Sequence, residues 1–242
     1  MKPRHIAMLA ATSRTFLIPI MRTPQPLRDA VGTAYLCMRA IDEVEDQRSL
    51  LPEAKAMVLR AMAGALRRAD GRVDCGALDI AFRDFRNDLP AVMIAFAGIA
   101  EAVPEPVRQW VWPATAEMAE DMASWALRGW SIHTEQDPDD YTYAVAGRVG
   151  VVLSDLWKWF DGTQTGKADA IAFGRGLQAV NIVRNYAEDR EREISFFPDG
   201  WTRPQMIAYA RHNLAGADRY MTCLPPGPIH VKSTQKIRRL TR

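Results

Sequence analysis

The run AVGTAYLCMRAIDEVEDQ, residues 30–47, decides the fold class. At 100° per residue, Val31, Tyr35, Met38 and Asp42 fall within about 60° of one another on a helix, and Asp46 joins them one turn after Asp42. A mostly apolar stripe therefore ends in two carboxylates that point the same way, with Arg39 on its edge. One reading is a helix whose last turns emerge into solvent. Against it, acidic residues at a helix C-terminus oppose the macrodipole, where a plain surface end favours Lys or Arg. Carboxylates one turn apart instead suit divalent cations, which take hard oxygen ligands.

A second run repeats the theme. In GLQAVNIVRNYAEDRER, residues 176–192, Gln178, Asn181, Asn185 and Asp189 span about 80° of a helix. Gly176, Leu177, Val180, Val183 and Ala187 occupy the other side, and Arg184 and Glu188 lie near the seam. A solvated polar face is the plain reading. Amides outnumber Lys and Glu on that face, however, and amides suit a wet, enclosed pocket that holds a charged ligand and metal. Two helices ending in inward acids can hold several Mg²⁺ ions across a bundle cavity. Mg²⁺ binds phosphate oxygens and makes diphosphate a better leaving group, and apolar walls exclude water. Such a design serves the ionisation of an allylic diphosphate.

The rest of the chain is consistent with an all-α protein. Apolar residues recur at helical spacing, and Ala, Leu, Met and Arg are frequent. The pattern predicts helices near 26–47, 53–69, 76–86, 89–101, 105–129, 138–160, 166–190 and 202–217. Breakers separate them at Asp70-Gly71, Pro104, Pro106, Pro138, Asp161-Gly162 and Pro198-Asp199-Gly200. With no repeat or long linker, the expected organisation is one helical domain over 1–224, a bundle with a central cavity, followed by a Pro-rich basic tail over 225–242.

The 242 residues are 48% hydrophobic and 25% charged, which excludes a disordered, collagen-like or polytopic membrane chain. The net charge of +2 offers no basic field for nucleic acid. Cys37, Cys75 and Cys223 lie far apart, without zinc spacing, and suggest a reducing compartment. The first 22 residues fit a signal peptide poorly, because Thr12, Ser13 and Arg14 break the apolar run. No stretch reaches the roughly 18 apolar residues of a membrane span. A cytoplasmic protein is expected, and peripheral contact with a membrane stays open.

Four segments, in order and spacing, resemble the squalene/phytoene synthase family. They are Ser13-Arg14-Thr15-Phe16, the Tyr35 to Asp46 segment, Tyr141-Thr-Tyr-Ala-Val145-Ala146-Gly147-Arg-Val-Gly150, and Gln178 to Asp189. The following Phe196-Phe197-Pro198 with Trp201 is similar to the squalene branch. The resemblance implies an all-α isoprenoid-synthase bundle that ionises an allylic prenyl diphosphate and joins the cation to a second prenyl diphosphate, head to head. It implies Mg²⁺ or Mn²⁺ as cofactor and leaves any use of NADPH undecided. By the same resemblance, Asp42, Asp46 and Asp189 act in catalysis as ligands of metal and diphosphate, with Asn185 at a fourth metal position. Arg39 and Arg184 neutralise phosphate charge, and Ser13 and Phe16 close over the diphosphate. Tyr141 stabilises cations or moves protons, whereas its residue type alone equally fits a core tyrosine with a satisfied hydroxyl. Tyr35, Gln178 and Asn181 line the substrate pocket. Val145 and Gly147 shape the wall where two helices approach.

Two departures bear on the substrate. Asn185 stands where the family's second motif begins with aspartate, so that site should hold metal more weakly. Only 53 residues follow Asp189, so a smaller or more open pocket is expected. Both features suit the alternative of transferring a short prenyl group, such as dimethylallyl, to an aromatic acceptor in secondary metabolism. A third reading is a non-catalytic partner protein that binds prenyl diphosphate.

Overall fold

Helix N-termini in this chain are set by a few local devices. Prolines occupy the first turn of several helices, where the missing N–H is not needed. In the computed structural model, which describes residues 1–13, 16–191 and 194–224, proline opens α1 (Pro3–Thr12) and α4 (Pro52–Ala65). Asp74 caps α5 (Cys75–Phe82) by accepting from the Ala77 N–H at 3.0 Å. Among the described residues there are helices and turns but no strand, as an all-α class requires. No described helix is long and apolar enough to cross a membrane. The chain divides into two compact units, Met1–Leu127 and Arg128–Arg242.

The first unit adds α2 (Leu17–Arg22), α3 (Leu27–Asp46), α6 (Ala91–Ile94), α7 (Phe96–Glu101) and α8 (Arg108–Leu127). α4 packs along α8, and α3 packs against α7 and α8. Leu36, Ile41, Leu59, Met62, Val111 and Met122 are fully buried there. On α3 the deepest stripe runs through Leu27, Ala30, Ala34, Cys37, Ile41 and Val44. The Tyr35–Arg39–Asp42–Asp46 stripe lies beside it, half-buried until Asp46, which is exposed. Lys55 is buried and donates to the Glu45 carbonyl at 2.5 Å, satisfying an orphan acceptor in the last turn of α3.

The second unit holds α9 (Asp137–Thr142), a π-helical turn (Tyr143–Gly147), α10 (Arg148–Asp161), α11 (Lys167–Glu191), α12 (Arg203–Leu214) and α13 (Ala217–Cys223). α10 stops at Gly162, whose φ of +79° is the left-handed cap that glycine adopts freely. α11 packs on α10, on the π-helical turn and on α12 and α13. Ala170, Leu214, Ala217, Tyr220 and Met221 form a buried cluster against which Phe173, Leu177 and Val180 pack.

Several helix expectations change. The expected helix at 89–101 is two short ones broken at Ala95. The expected helix at 138–160 carries the π-helical turn in its middle. α1 and α2 were not foreseen, although Pro3 at the helix start and buried His5 and Leu9 one turn apart are helix signals. α13 also lies mostly beyond the last predicted helix. The tail at 225–242 lies outside the described residues.

Candidate active site

The predicted polar groups form two clusters, one within each unit. In the first, α3 carries Tyr35, Arg39, Asp42 and Asp46 at helical spacing. The Arg39 guanidinium forks across the helix face, ion-paired to Asp42 and to Glu43. Burial opposes the charge of Arg39, but Asp42 and Glu43 more than offset it and hold the group firmly protonated. For Asp42 the balance runs the other way. Desolvation, with Asp46 and Glu43 close by, pushes its carboxyl up to about 6 despite the pull of Arg39. The carboxylates of Asp42, Glu43 and Asp46 thus crowd the end of α3 around the Arg39 guanidinium.

Above this face, Ser13 is buried and its hydroxyl accepts from the Phe16 N–H at 2.8 Å, closing a local turn. Arg14 and Thr15, the middle of that segment, lie outside the described residues. Phe16 is exposed, with its ring 5.8 Å from that of Tyr35. The Tyr35 hydroxyl donates to the Thr12 carbonyl at 3.3 Å, and desolvation raises its pKa. Ser13 and Phe16 therefore sit beside Tyr35 in the middle of α3, and Arg39, Asp42 and Asp46 follow along the same helix towards its C-terminal end.

In the second cluster, α11 presents Gln178, Asn181, Arg184, Asn185 and Asp189. Gln178 and Asp189 are half-buried, whereas Asn181, Arg184 and Asn185 are exposed. Asn181 donates to the Gln178 side-chain oxygen at 3.4 Å. The opposite side of α11 packs through Gly176, Leu177 and Val180, but Ala187 is exposed, contrary to the expected pattern. Tyr141, buried at the end of α9, stacks on Phe196 with ring centroids 4.8 Å apart and planes at 23°. Val145 is half-buried and Gly147 buried within the π-helical turn. A methyl group on Gly147 would press on the Tyr143 ring and Ile171, and one on Gly174 of α11 would collide with the Ala146 carbonyl. The two segments meet backbone to backbone, as close packing at these glycines requires.

Among the described residues no group of three or more His, Cys, Asp or Glu side chains converges to hold a metal unaided. Mg²⁺ commonly takes only one or two carboxylates and fills its octahedron with substrate phosphates and water. Asp42 and Asp46, one turn apart, meet that requirement, so the oxygen donor set fits the ion. Asp189 offers one carboxylate and Asn185 one neutral carbonyl.

The sequence reading did not include Glu43, the second carboxylate on Arg39, although its i,i+4 spacing from Arg39 was a readable signal. It also did not include Phe196 as the partner of Tyr141, since 55 residues separate them.

Comparison with known proteins identifies the family. The squalene/phytoene synthase family model matches residues 9–219. The chain belongs to the squalene/phytoene synthase family. It is 31% identical over 185 residues to squalene synthase 10 of Panax ginseng, covering 76% of this chain and 42% of that protein. It is 30% identical over 184 residues to squalene synthase of Solanum lycopersicum, covering 75% and 43%. The chain thus spans less than half the length of these relatives. A solved structure of TcSQS with the ligand E5700 superposes with a TM-score of 0.73 at 24% identity, over 92% of this chain and 71% of that one. That superposition shows a shared fold.

Proposed function

We propose that this family member is a Mg²⁺-dependent prenyltransferase that ionises an allylic prenyl diphosphate and couples the cation to a second prenyl diphosphate, head to head. The observation that carries the reading is the charged end of α3. There Arg39 is held by Asp42 and Glu43, with Asp46 one turn further on.

Bound Mg²⁺ supplies the neutralising charge that a departing diphosphate needs. Asp42 and Asp46 would hold the ion on α3, and Asp189 with Asn185 would offer a weaker set on α11. With Asp42 engaged by a bound ion, the Arg39 fork would keep Glu43 on one nitrogen and offer the other to phosphate oxygens. Arg184 is exposed and available for the same task. Ser13 and Phe16 shield the diphosphate from water. The Tyr141 and Phe196 rings stack on each other, and their outer, electron-rich faces would stabilise a nearby carbocation. The buried surroundings of Tyr141 limit quenching by solvent.

A second reading rests on Asn185. A neutral amide in the second acidic motif suits a reaction in which only the donor's diphosphate needs metal, such as transfer of a short prenyl group to an aromatic ring. Product analysis separates the two. Incubation of the full chain with Mg²⁺ and one allylic diphosphate of ten, fifteen or twenty carbons should yield a coupled product of twice that carbon number. Diphosphate release only when an electron-rich aromatic is added would favour the second reading. No release under either condition overturns both.

A further inference from the structure

We propose that a recess walled by Trp201, Tyr209 and Glu135 binds a small organic cation of the quaternary-ammonium type. The recess is shallow and open to solvent, with a volume of about 380 Å³, and is completed by the exposed Gln205, Ala208 and His212. Its residues do not include any of the predicted prenyl-diphosphate groups. Trp201 and Tyr209 meet with centroids 6.1 Å apart and planes at 61°, so they form a corner and not a parallel stack. Two aromatic walls set at an angle and one carboxylate are the elements that recognise a trimethylated nitrogen, whose spread positive charge is weakly hydrated.

The Tyr209 ring and the segments that carry Trp201 and Glu135 are tethered. The Tyr209 hydroxyl donates to Asp139 at 2.7 Å and contacts the Thr142 hydroxyl at 2.9 Å. Trp201 lies in a turn closed by its N–H on the Pro198 carbonyl at 2.9 Å. Glu135 lies in the neighbouring loop, which is fastened twice. The Asp137 carboxylate accepts from the N–H groups of His133 and Thr134 at 2.9 and 2.8 Å and pairs with Arg128 at 2.9 Å. The Asp199 N–H donates to the His133 carbonyl at 3.1 Å, and the His133 ring contacts the Asp199 carboxylate at 3.1 Å. These bonds tie the Glu135 loop to the Trp201 turn, and such preorganisation lowers the entropy lost on binding.

Glu135 itself is exposed and has no hydrogen-bond or ion-pair partner among the described residues. An anion would meet this carboxylate, and a neutral ring would leave it unused. A hard divalent ion would find few oxygens, because the Gln205 side-chain oxygen already accepts from the Thr202 N–H and hydroxyl, each at 2.8 Å. A soft monocation uses the carboxylate and both rings.

The test titrates the full chain with choline and, in parallel, with 3,3-dimethylbutan-1-ol, its uncharged isostere, by calorimetry and tryptophan fluorescence. Choline should bind saturably and the isostere at least several-fold more weakly. E135Q and W201L should each weaken choline by roughly 2- to 30-fold. E135Q changes an exposed side chain and keeps the test valid if W201L fails to fold. Sedimentation with phosphatidylcholine vesicles, against phosphatidylglycerol vesicles, identifies the source of the cation. Vesicle binding lost in E135Q assigns a lipid headgroup, and choline binding without vesicle binding assigns a free cation. Absence of saturable choline binding overturns the proposal, as does equal binding of the isostere or unchanged affinity in folded E135Q.

Discussion

Asp42→Asn isolates the energetic consequence of crowding carboxylates at the end of α3. The Asp42 pKa rises from 3.8 to about 6 on folding, chiefly through desolvation. Two pK units correspond to about 3 kcal/mol between the two protonation states. The side chain is 37% exposed, so solvent screening reduces this to about 1–2 kcal/mol. A raised carboxyl pKa means that the folded protein binds more protons than the unfolded chain between pH 3.8 and 6. Its stabilising contribution is therefore complete below pH 3.8 and is lost as pH rises through 6. Buried His5, with its pKa lowered by burial and by Arg4, slopes the opposite way as pH falls below about 6.5. The comparison must therefore be between variant and parent at each pH. In Mg²⁺-free buffer, D42N should be more stable than the parent by about 1–2 kcal/mol at pH 7.5, or a few °C in Tm. The advantage should shrink towards zero near pH 4. Thermal unfolding of both proteins from pH 4 to 8 reads this directly. A difference that does not change with pH would refute the assignment of a raised pKa to Asp42.

Further outcomes follow from other contacts. G174A places a methyl group against the Ala146 carbonyl and should destabilise the protein by about 1–3 kcal/mol in urea unfolding. F196A removes the ring stacked on Tyr141 and should destabilise by about 3–5 kcal/mol. F196Y keeps the stacking ring and should destabilise less than F196A, by about 1–3 kcal/mol for the added buried hydroxyl. N185D adds a carboxylate to α11 and should lower the Mg²⁺ concentration needed for half-maximal diphosphate release. An unchanged Mg²⁺ requirement removes position 185 from the metal set.

The helical class was legible because amphipathic periodicity is strong in α3 and α10, where an apolar face must be buried. Local chemistry was less readable at breaks. The separation of α6 from α7 at Ala95 has no breaker residue to mark it. The π-helical turn at Tyr143–Gly147 arises where Gly147 and Gly174 let two backbones approach, a tertiary cause that no local propensity encodes. In the first cluster, Arg39, Asp42 and Asp46 were readable because one helix sets their spacing. The fork of Arg39 onto Glu43 was readable in principle by the same rule. The Tyr141–Phe196 stack was not, because its partners are distant in the chain and are joined only by folding. On α11 the far half is more exposed than the periodicity implied, with Asn181, Arg184 and Asn185 solvated, since packing against α12 and α13 engages the N-terminal half of the helix through Ala170, Phe173, Leu177 and Val180.

The central claim is that the charged end of α3 drives diphosphate departure. Release of inorganic diphosphate from allylic prenyl diphosphates, measured with and without Mg²⁺ for the parent chain and D42N, tests it most directly. The account predicts Mg²⁺-dependent release by the parent and a loss of about 10²- to 10³-fold in D42N. Release by D42N equal to that of the parent, or no release by the parent with any donor, would contradict it.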